Sequence, residues 1–281
     1  MIDAAMEKQY NNRVNVPEHP ELLAEWAAMS AVWQADAKTV REIAYGDSDA
    51  ETLDLFLADA ENAPVHMYIH GGYWQANDKK SSNFVARPLV AAGAHVAVID
   101  YGLCPDVTID EIGRQCRAAL ACLWRETEGF GGNRDHITVS GHSCGGQLVG
   151  MVMASDWAQF GADLPKDLVK GGVSISGLFD LEPLLNTTVN IKVGMDAESA
   201  RRNSPLFMAP ASDAPLALLW GGDETDAFRW QSETMAAAWD AKGVETVAEA
   251  IPGVNHFTVL TGMEDPAHPA IRAILRQLGL G

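Results

Sequence analysis

Residues 141–145 read Gly-His-Ser-Cys-Gly, which matches the Gly-x-Ser-x-Gly pattern around a nucleophilic serine. In that pattern Ser143 occupies a strained turn between a strand and a helix, where bulky neighbours of the serine would clash. A glycine-rich turn with an incidental serine is the competing interpretation. The apolar run before the motif and the helical pattern after it favour a nucleophile, as do the further motifs below.

A pair of glycines follows an earlier apolar run, in the stretch His-Gly-Gly-Tyr-Trp at residues 70–74. Backbone N–H groups in such a loop can stabilise the oxyanion of a tetrahedral intermediate. We assign the oxyanion donors to the N–H groups of Gly71, Gly72 and Cys144, and expect His70 to hydrogen-bond the loop. An ordinary tight turn is the alternative for the glycine pair. The position of the loop before the Ser143 motif favours the catalytic interpretation.

A serine nucleophile of this type is followed in the chain by an acid and then by a histidine. His256 follows the last predicted strand and would take the proton of Ser143 as a general base. The acid would come from the Gly-Gly-Asp-Glu-Thr-Asp turn that follows an earlier strand. The acid usually stands three residues after the first glycine of such a turn, and counting from Gly221 this spacing favours Glu224. Asp223 is the main alternative and Asp226 a more distant one.

The cysteines and the remaining histidines show no spacing that is typical of a metal site. Cys144 directly follows Ser143, and we interpret it as a structural residue that packs under the next helix. The other cysteines form no Cys-x-x-Cys pair and are expected to be reduced thiols. The sequence therefore predicts neither a metal nor a cofactor.

The elements that must position these groups follow a regular alternation along the chain. Short β-branched or apolar runs predict strands at 64–69, 95–100, 136–140, 172–176, 216–220 and 245–251. Helical spacing of apolar residues predicts helices at 81–92, 108–128, 143–155, 228–241 and 266–278.

Alternating strands and helices with nearly continuous apolar strands predict a mostly parallel sheet with helices on both faces. In such sheets the chemistry lies beyond the carboxyl ends of the strands, and each motif above falls at such an end. Together with the serine motif, this pattern predicts a single α/β-hydrolase domain over residues 1–281. Two segments outside the alternation, 1–38 and 182–210, are predicted to form a small helical cap over this edge of the sheet.

The charge balance restricts the partners of the chain. The 38 acidic and 20 basic residues give a formal net charge of −18, which argues against nucleic acid and against an anionic membrane surface. The first 13 residues lack the apolar core of a secretory signal, and no apolar run reaches the roughly 18 residues that span a bilayer. We expect a cytoplasmic protein with a small-molecule substrate. A homodimer is compatible with the sequence, which does not determine the oligomeric state.

Several motifs resemble one known family. They are HGGYW at 70–74, GHSCGG at 141–146, SGLFDLEPL at 176–184 and NHF at 255–257, with YNNR at 10–13, ARRNSPL at 200–206 and FRWQS at 228–232. This chain resembles the α/β-hydrolase type of N-formylkynurenine formamidase (arylformamidase), which is related to hormone-sensitive-lipase-like esterases. The sequence departs from the family's usual motifs at two positions, which bear on the choice of substrate. Cys144 stands where alanine is usual, and Gly102 stands where related esterases have a structural arginine.

The resemblance implies that the chain hydrolyses an aryl N-formyl amide, most simply N-formyl-L-kynurenine to kynurenine and formate, in tryptophan breakdown or a related aromatic pathway. The acid of the family falls on Glu224. The aryl side of the substrate needs an apolar pocket, and Tyr73, Trp74, Phe179 and Phe257 lie on loops that could line it. Plain packing is the alternative role for each of these four aromatic residues.

Other functions remain open at this point. The same catalytic groups would serve a carboxylesterase that acts on short-acyl aryl esters, or a hydrolase of another small amide. A non-catalytic binding protein on the same fold is a different class of function, although the complete set of catalytic motifs argues against it. A substrate carboxylate could be bound by Arg13, Lys79, Lys80 or Arg87.

Overall fold

A computed structural model of the chain describes residues 1–281. Its eight strands form one sheet. They are β1 (Val40–Ala44), β2 (Thr52–Phe56), β3 (Ala63–Ile69), β4 (His95–Ile99), β5 (Gly132–His142), β6 (Val169–Ile175), β7 (Leu216–Gly221) and β8 (Thr246–Ile251).

Eleven α-helices surround the sheet. They are α1 (Ala4–Tyr10), α2 (Asn12–Asn15), α3 (His19–Asp36), α4 (Ala86–Ala91), α5 (Ile109–Glu126), α6 (Cys144–Met153), α7 (Trp157–Phe160), α8 (Asn190–Val193), α9 (Ala197–Arg202), α10 (Asp226–Asp240) and α11 (Pro269–Gln277). No helix combines the length and the apolar character needed to cross a membrane.

The strands are arranged in the order β1-β2-β4-β3-β5-β6-β7-β8. All neighbours from β4 to β8 are parallel, whereas β1 pairs with β2 and β2 pairs with β4 in antiparallel fashion. The sheet is therefore mostly parallel, as the alternation of elements predicts. The antiparallel strands β1 and β2 are absent from the sequence-based prediction: β1 is short, at most half-buried and at the edge of the sheet, and β2 is buried but only five residues long.

Side chains of the strands alternate between two apolar layers, one on each face of the sheet. Along β3, Met67 belongs to the layer under α5, α6 and α10, whereas the neighbouring Tyr68 belongs to the layer under α3, α4 and α11. This alternation follows from the two-residue period of a strand. Because both faces are covered, the central strands are buried, and the carboxyl-end loops are the part of the sheet left for chemistry.

The predicted helix at 81–92 is wrong in its first half. The chain forms two 3₁₀ turns, Lys79–Ser81 and Asn83–Val85, and the α-helix begins only at Ala86. Pro88 explains the difference, since its ring would clash with the carbonyl group four residues earlier in a continuous α-helix.

The two segments outside the alternation are both helical. Helices α1 to α3 cover the carboxyl edge of the sheet, and residues 182–210 form α8, α9 and two short 3₁₀ turns. The two segments hold each other: the backbone N–H of Asp3 donates to the carbonyl of Asn186, and the backbone N–H of Thr188 donates to Oε2 of Glu7 at 2.8 Å.

Candidate active site

Ser143 lies at a sharp turn between the end of β5 and the start of α6. Its φ of 57° and ψ of −123° place a non-glycine residue in a region that is costly for L-amino acids. The turn is possible only with a glycine at position 145, where a Cβ atom would come within 2.1 Å of the carbonyl oxygen of Ile69. The serine hydroxyl is therefore held rigidly at the carboxyl edge of the sheet.

His256 lies between Ser143 and Glu224. Its Nε2 is 3.0 Å from Oγ of Ser143, and its Nδ1 is 2.8 Å from Oε2 of Glu224. A carboxylate only accepts hydrogen bonds, so Nδ1 carries the proton and Nε2 is left to accept the proton of the serine hydroxyl. This is the arrangement in which a histidine acts as general base towards a serine.

The carboxylate of Glu224 is fixed on both oxygens. Its side chain is fully buried, and its Oε1 accepts hydrogen bonds from the Ser176 hydroxyl and from the backbone N–H of Gly221, the latter at 2.6 Å. Asp223, in contrast, is exposed. Asp226 opens α10 and pairs with Arg229. Of the three acids that the sequence left open, the structure thus brings Glu224 alone to His256.

The loop after β3 passes beside Ser143 with two backbone N–H groups that donate to no other group in the chain, those of Gly71 and Gly72. Gly72 has a φ of +118°, and a Cβ atom there would lie 2.1 Å from the carbonyl oxygen of Ala76. The N–H of Cys144 opens α6 and has no partner within the helix. Of these three residues Gly72 lines the space over Ser143. Gly71 packs against the serine, since an added Cβ atom there would lie 3.1 Å from Cβ of Ser143, and Cys144 directly follows the serine.

The first residue of this loop, His70, holds the loop in place. His70 donates from Nδ1 to the carbonyl oxygen of Gly71 at 2.8 Å, and its ring stacks on that of Tyr101 at 4.2 Å. The Tyr101 hydroxyl in turn donates to the carbonyl oxygen of His70 at 2.8 Å. These contacts fix the glycine pair independently of any substrate.

Cys144 is completely buried beneath Ser143. Its Sγ accepts a hydrogen bond from the backbone N–H of Trp74 at 3.2 Å, and burial raises the pKa of its thiol to about 11. A thiol with so high a pKa is a poor nucleophile at neutral pH. Cys144 therefore helps to hold the glycine loop against α6.

His142 precedes the serine and holds the loop that carries the base. Its Nε2 lies 2.8 Å from the backbone carbonyl oxygen of His256, so Nε2 must be the protonated nitrogen. Burial and the neighbouring His256 ring, 4.8 Å away, hold the pKa of His142 well below its usual range. His142 therefore remains a neutral ring at physiological pH.

The space over Ser143 is small, with a volume of about 30 Å³, room for about two water-sized groups. Loops at the ends of the strands form its floor, with the residues Gly72, Tyr73, Asn77, His142, Ser143, His256 and Phe257. The N-terminal helices α2 and α3 form its roof, with the residues Asn12, Arg13, Leu23 and Trp26. Residues 182–210 line no part of this space.

Of the four aromatic residues predicted to line the substrate pocket, Tyr73 and Phe257 line the space over Ser143. For the other two the prediction is wrong, because Trp74 and Phe179 are fully buried in the apolar layer beneath α6 and α10. Trp74 also donates its indole N–H to the Gln147 side chain at 3.1 Å. Sequence placed them on the right loops, but the direction of each side chain depends on packing.

The four cations considered for a substrate carboxylate occupy different places. Arg13 is exposed at the rim of the space over Ser143 and makes no ion pair. Lys79 is buried and forms ion pairs with Glu42 on β1 and Asp54 on β2. The remaining two, Lys80 and Arg87, do not line the space over Ser143. Only Arg13 is placed to meet a substrate there.

Three roof residues were not predicted from the sequence as site residues, namely Asn12, Leu23 and Trp26. Two signals pointed to this segment: the YNNR motif at 10–13, which contains Asn12, and the helical pattern of residues 1–38, which predicted a cap but no particular side chain. A larger cleft of about 700 Å³ lies between α3 and the strand β1. It contains none of the groups that surround Ser143, so its size does not mark it as the reaction site.

Comparison with known proteins agrees with this geometry. Residues 66–260 match a sequence family described as having the alpha/beta hydrolase fold, which confirms the predicted fold class. The kynurenine formamidase of Danio rerio is 30% identical to this chain, over 86% of this chain and 83% of that protein. An esterase of Mycobacterium tuberculosis is 29% identical, over 85% of this chain and 65% of that protein.

A solved structure from Silicibacter sp. TM1040, with a provisional assignment as a thioesterase, is also similar. It superimposes with a TM-score of 0.84 at 29% identity, over 96% of this chain and 98% of that chain. The relatives of this chain are thus hydrolases that act on different acyl bonds.

Proposed function

This chain belongs to the α/β-hydrolase family and is a hydrolase related to the kynurenine formamidases, and from that premise we propose that it cleaves aryl N-formyl amides, with N-formyl-L-kynurenine as the favoured substrate. The observation that carries the proposal is the hydrogen-bonded series Ser143, His256 and Glu224 in a chain that is 30% identical to a kynurenine formamidase. The space of about 30 Å³ over Ser143 is compatible with a formyl group, which has a single carbon and oxygen.

The reaction we propose has two halves. Ser143 Oγ attacks the formyl carbon while His256 Nε2 takes the hydroxyl proton, and the oxyanion accepts hydrogen bonds from the N–H groups of Gly71, Gly72 and Cys144. The C–N bond then breaks. The departing aryl amine receives the proton from His256, and the formyl group remains as an ester on Ser143.

In the second half, His256 takes a proton from water, and the resulting hydroxide attacks the formyl carbon of the ester. The new tetrahedral intermediate collapses, Ser143 Oγ leaves with the proton from His256, and formate is released. Glu224 keeps the ring of His256 oriented and stabilises its charged form in both halves.

The aryl group and its substituents would occupy the mouth of the space, between Tyr73, Phe257 and the roof. Arg13 at the rim is the residue we propose for a substrate carboxylate, since its guanidinium is exposed and free of ion pairs. A ring does not fit in about 30 Å³, so side chains of the roof must move when it binds.

The test compares the turnover of N-formyl-L-kynurenine with that of p-nitrophenyl acetate, in the wild type and in Ser143→Ala. We expect a higher kcat/KM for the formyl amide, and loss of both activities in the variant. Turnover of the ester alone would support the alternative function, a carboxylesterase for short-acyl aryl esters. Activity that survives in Ser143→Ala would refute the mechanism itself.

A further inference from the structure

Two polar side chains of the roof are buried against the site without a hydrogen-bond partner. The amide Nδ2 of Asn12 and the indole Nε1 of Trp26 donate to no group in the protein. Both residues are at most 4% exposed, and both line the space over Ser143. A buried N–H without a partner costs free energy, so two of them beside one nucleophile require an explanation.

The surroundings show which kind of group these N–H donors could bind. The neighbouring faces of the space are aromatic: the Trp26 ring lies 6.2 Å from that of Phe257 and edge-on to that of His142 at 6.0 Å. No carboxylate side chain lines the space. Aromatic faces with two unpartnered donors and no acidic group suit a planar molecule that carries a carbonyl oxygen.

We propose that Asn12 and Trp26 form a donor pair that binds a carbonyl oxygen on the aryl ring of the substrate, ortho to the nitrogen that is cleaved. This inference rests on the proposed function, since N-formylkynurenine carries a ketone at that position. A carbonyl oxygen accepts two hydrogen bonds, one from each donor. Binding would orient the ring relative to Ser143 and select ortho-acyl anilides over plain anilides.

The experiment measures a ratio, kcat/KM for 2-acetylformanilide over kcat/KM for formanilide. Trp26→Phe removes the indole N–H and keeps an aromatic ring, and Asn12→Leu removes the amide and keeps a similar size. We expect each variant to lower the ratio by about three- to tenfold, the value of one neutral hydrogen bond. Because formanilide lacks the ortho carbonyl, a general effect of either substitution on the site changes both rates and cancels in the ratio.

Trp33→Phe is the matched control. Trp33 lies on α3 like Trp26 and its indole Nε1 is equally without a partner, but it does not line the space over Ser143. The ratio should be unchanged in this variant. An unchanged ratio in both Trp26→Phe and Asn12→Leu, or the same decrease in Trp33→Phe, would overturn the proposal.

A second substrate pair separates this inference from the proposed function. If the wild type hydrolyses neither N-formyl-L-kynurenine nor formanilide, the proposed function fails, and the same ratio is measured with 2-acetylphenyl acetate over phenyl acetate. A lower ratio in Trp26→Phe and Asn12→Leu would then still support the donor pair. An unchanged ester ratio would refute it.

Discussion

Glu224 and His256 are joined by one hydrogen bond of 2.8 Å between Oε2 and Nδ1, although 31 residues separate them in the chain. The second carboxylate oxygen accepts hydrogen bonds from the Ser176 hydroxyl, which follows β6, and from the backbone N–H of Gly221, at the end of the strand β7 that Glu224 itself follows. Three loops thus fix one carboxylate. The orientation of the base depends on this arrangement, which is why the neighbouring Asp223 cannot replace it.

Glu224→Gln is expected to lower kcat by about 10³- to 10⁴-fold, because an amide favours the wrong tautomer of His256 and does not stabilise the imidazolium. Asp223→Asn is the matched control, one residue away with an exposed side chain, and should keep kcat within about twofold, as exposed positions usually do. Steady-state kinetics of both variants test which of the two carboxylates orients His256. A larger loss in Asp223→Asn than in Glu224→Gln would reverse the assignment of the acid.

Gly72→Ala should damage both the fold and the reaction. A Cβ atom would collide with the carbonyl of Ala76 at 2.1 Å, and the φ of +118° disfavours any side chain. The shift of the loop would misplace its N–H donor, so we expect kcat to fall by about 10²-fold or more.

Gly243→Ala controls for backbone strain alone in this comparison. Gly243 has a φ of +90° with no atom within 4 Å of the added Cβ, in the turn that follows α10. Thermal unfolding should show a moderate loss of stability of about 1 kcal/mol with kcat unchanged. If Gly243→Ala also lost activity, strain rather than the oxyanion donor would account for the effect at Gly72.

Arg13→Gln is expected to raise KM for N-formyl-L-kynurenine by about tenfold, the size of one hydrogen bond to a charged group, and to leave KM for formanilide unchanged. The difference arises because formanilide has no carboxylate. Arg87→Gln serves as the comparison variant, since Arg87 pairs with Glu264 outside the site. Equal changes of KM for both substrates in Arg13→Gln would show that Arg13 shapes the mouth without binding the carboxylate.

The protein should lose stability as the pH falls below about 6.5, the usual pKa of histidine. Burial lowers the pKa of His66 to about 3 and that of His70 to about 4. A lowered pKa in the folded state means that the unfolded chain binds protons first, so acid favours unfolding. The carboxyl of Asp100 acts in the opposite direction, because burial raises its pKa to about 6.

His66→Gln isolates one part of this effect. His66 lies between the Thr138 and Ser140 hydroxyls, at 2.8 and 2.7 Å, and glutamine can replace these hydrogen bonds without titrating. The free energy of unfolding, measured by urea titration between pH 7 and pH 4, should fall less steeply in the variant, by up to about 1.4 kcal/mol per pH unit. If the free energy of unfolding falls equally steeply with pH in variant and wild type, His66 does not contribute to the acid sensitivity, whatever the absolute stability of the variant.

Some features could be predicted from the sequence because they depend on local patterns. The strand–helix alternation predicted the mostly parallel sheet, and the motif around Ser143 indicated a strained turn that only small neighbours permit. The strands β1 and β2 were missed: β1 is an edge strand with little burial to impose a clear pattern, and β2 is only five residues long and carries Asp54 among its apolar residues. The direction of Trp74 was also missed, since a side chain on a loop can point to the site or to the core.

The sequence by itself determined the type and the order of the reactive groups, because a nucleophile, an acid and a base must each follow a strand in this fold. Only the tertiary structure decided which of two adjacent acids reaches His256, and which of four cations borders the site. It also placed Asn12 and Trp26 over Ser143, more than 100 residues away in the chain. Such choices depend on how distant segments pack on the sheet, and no local pattern of residues records that packing.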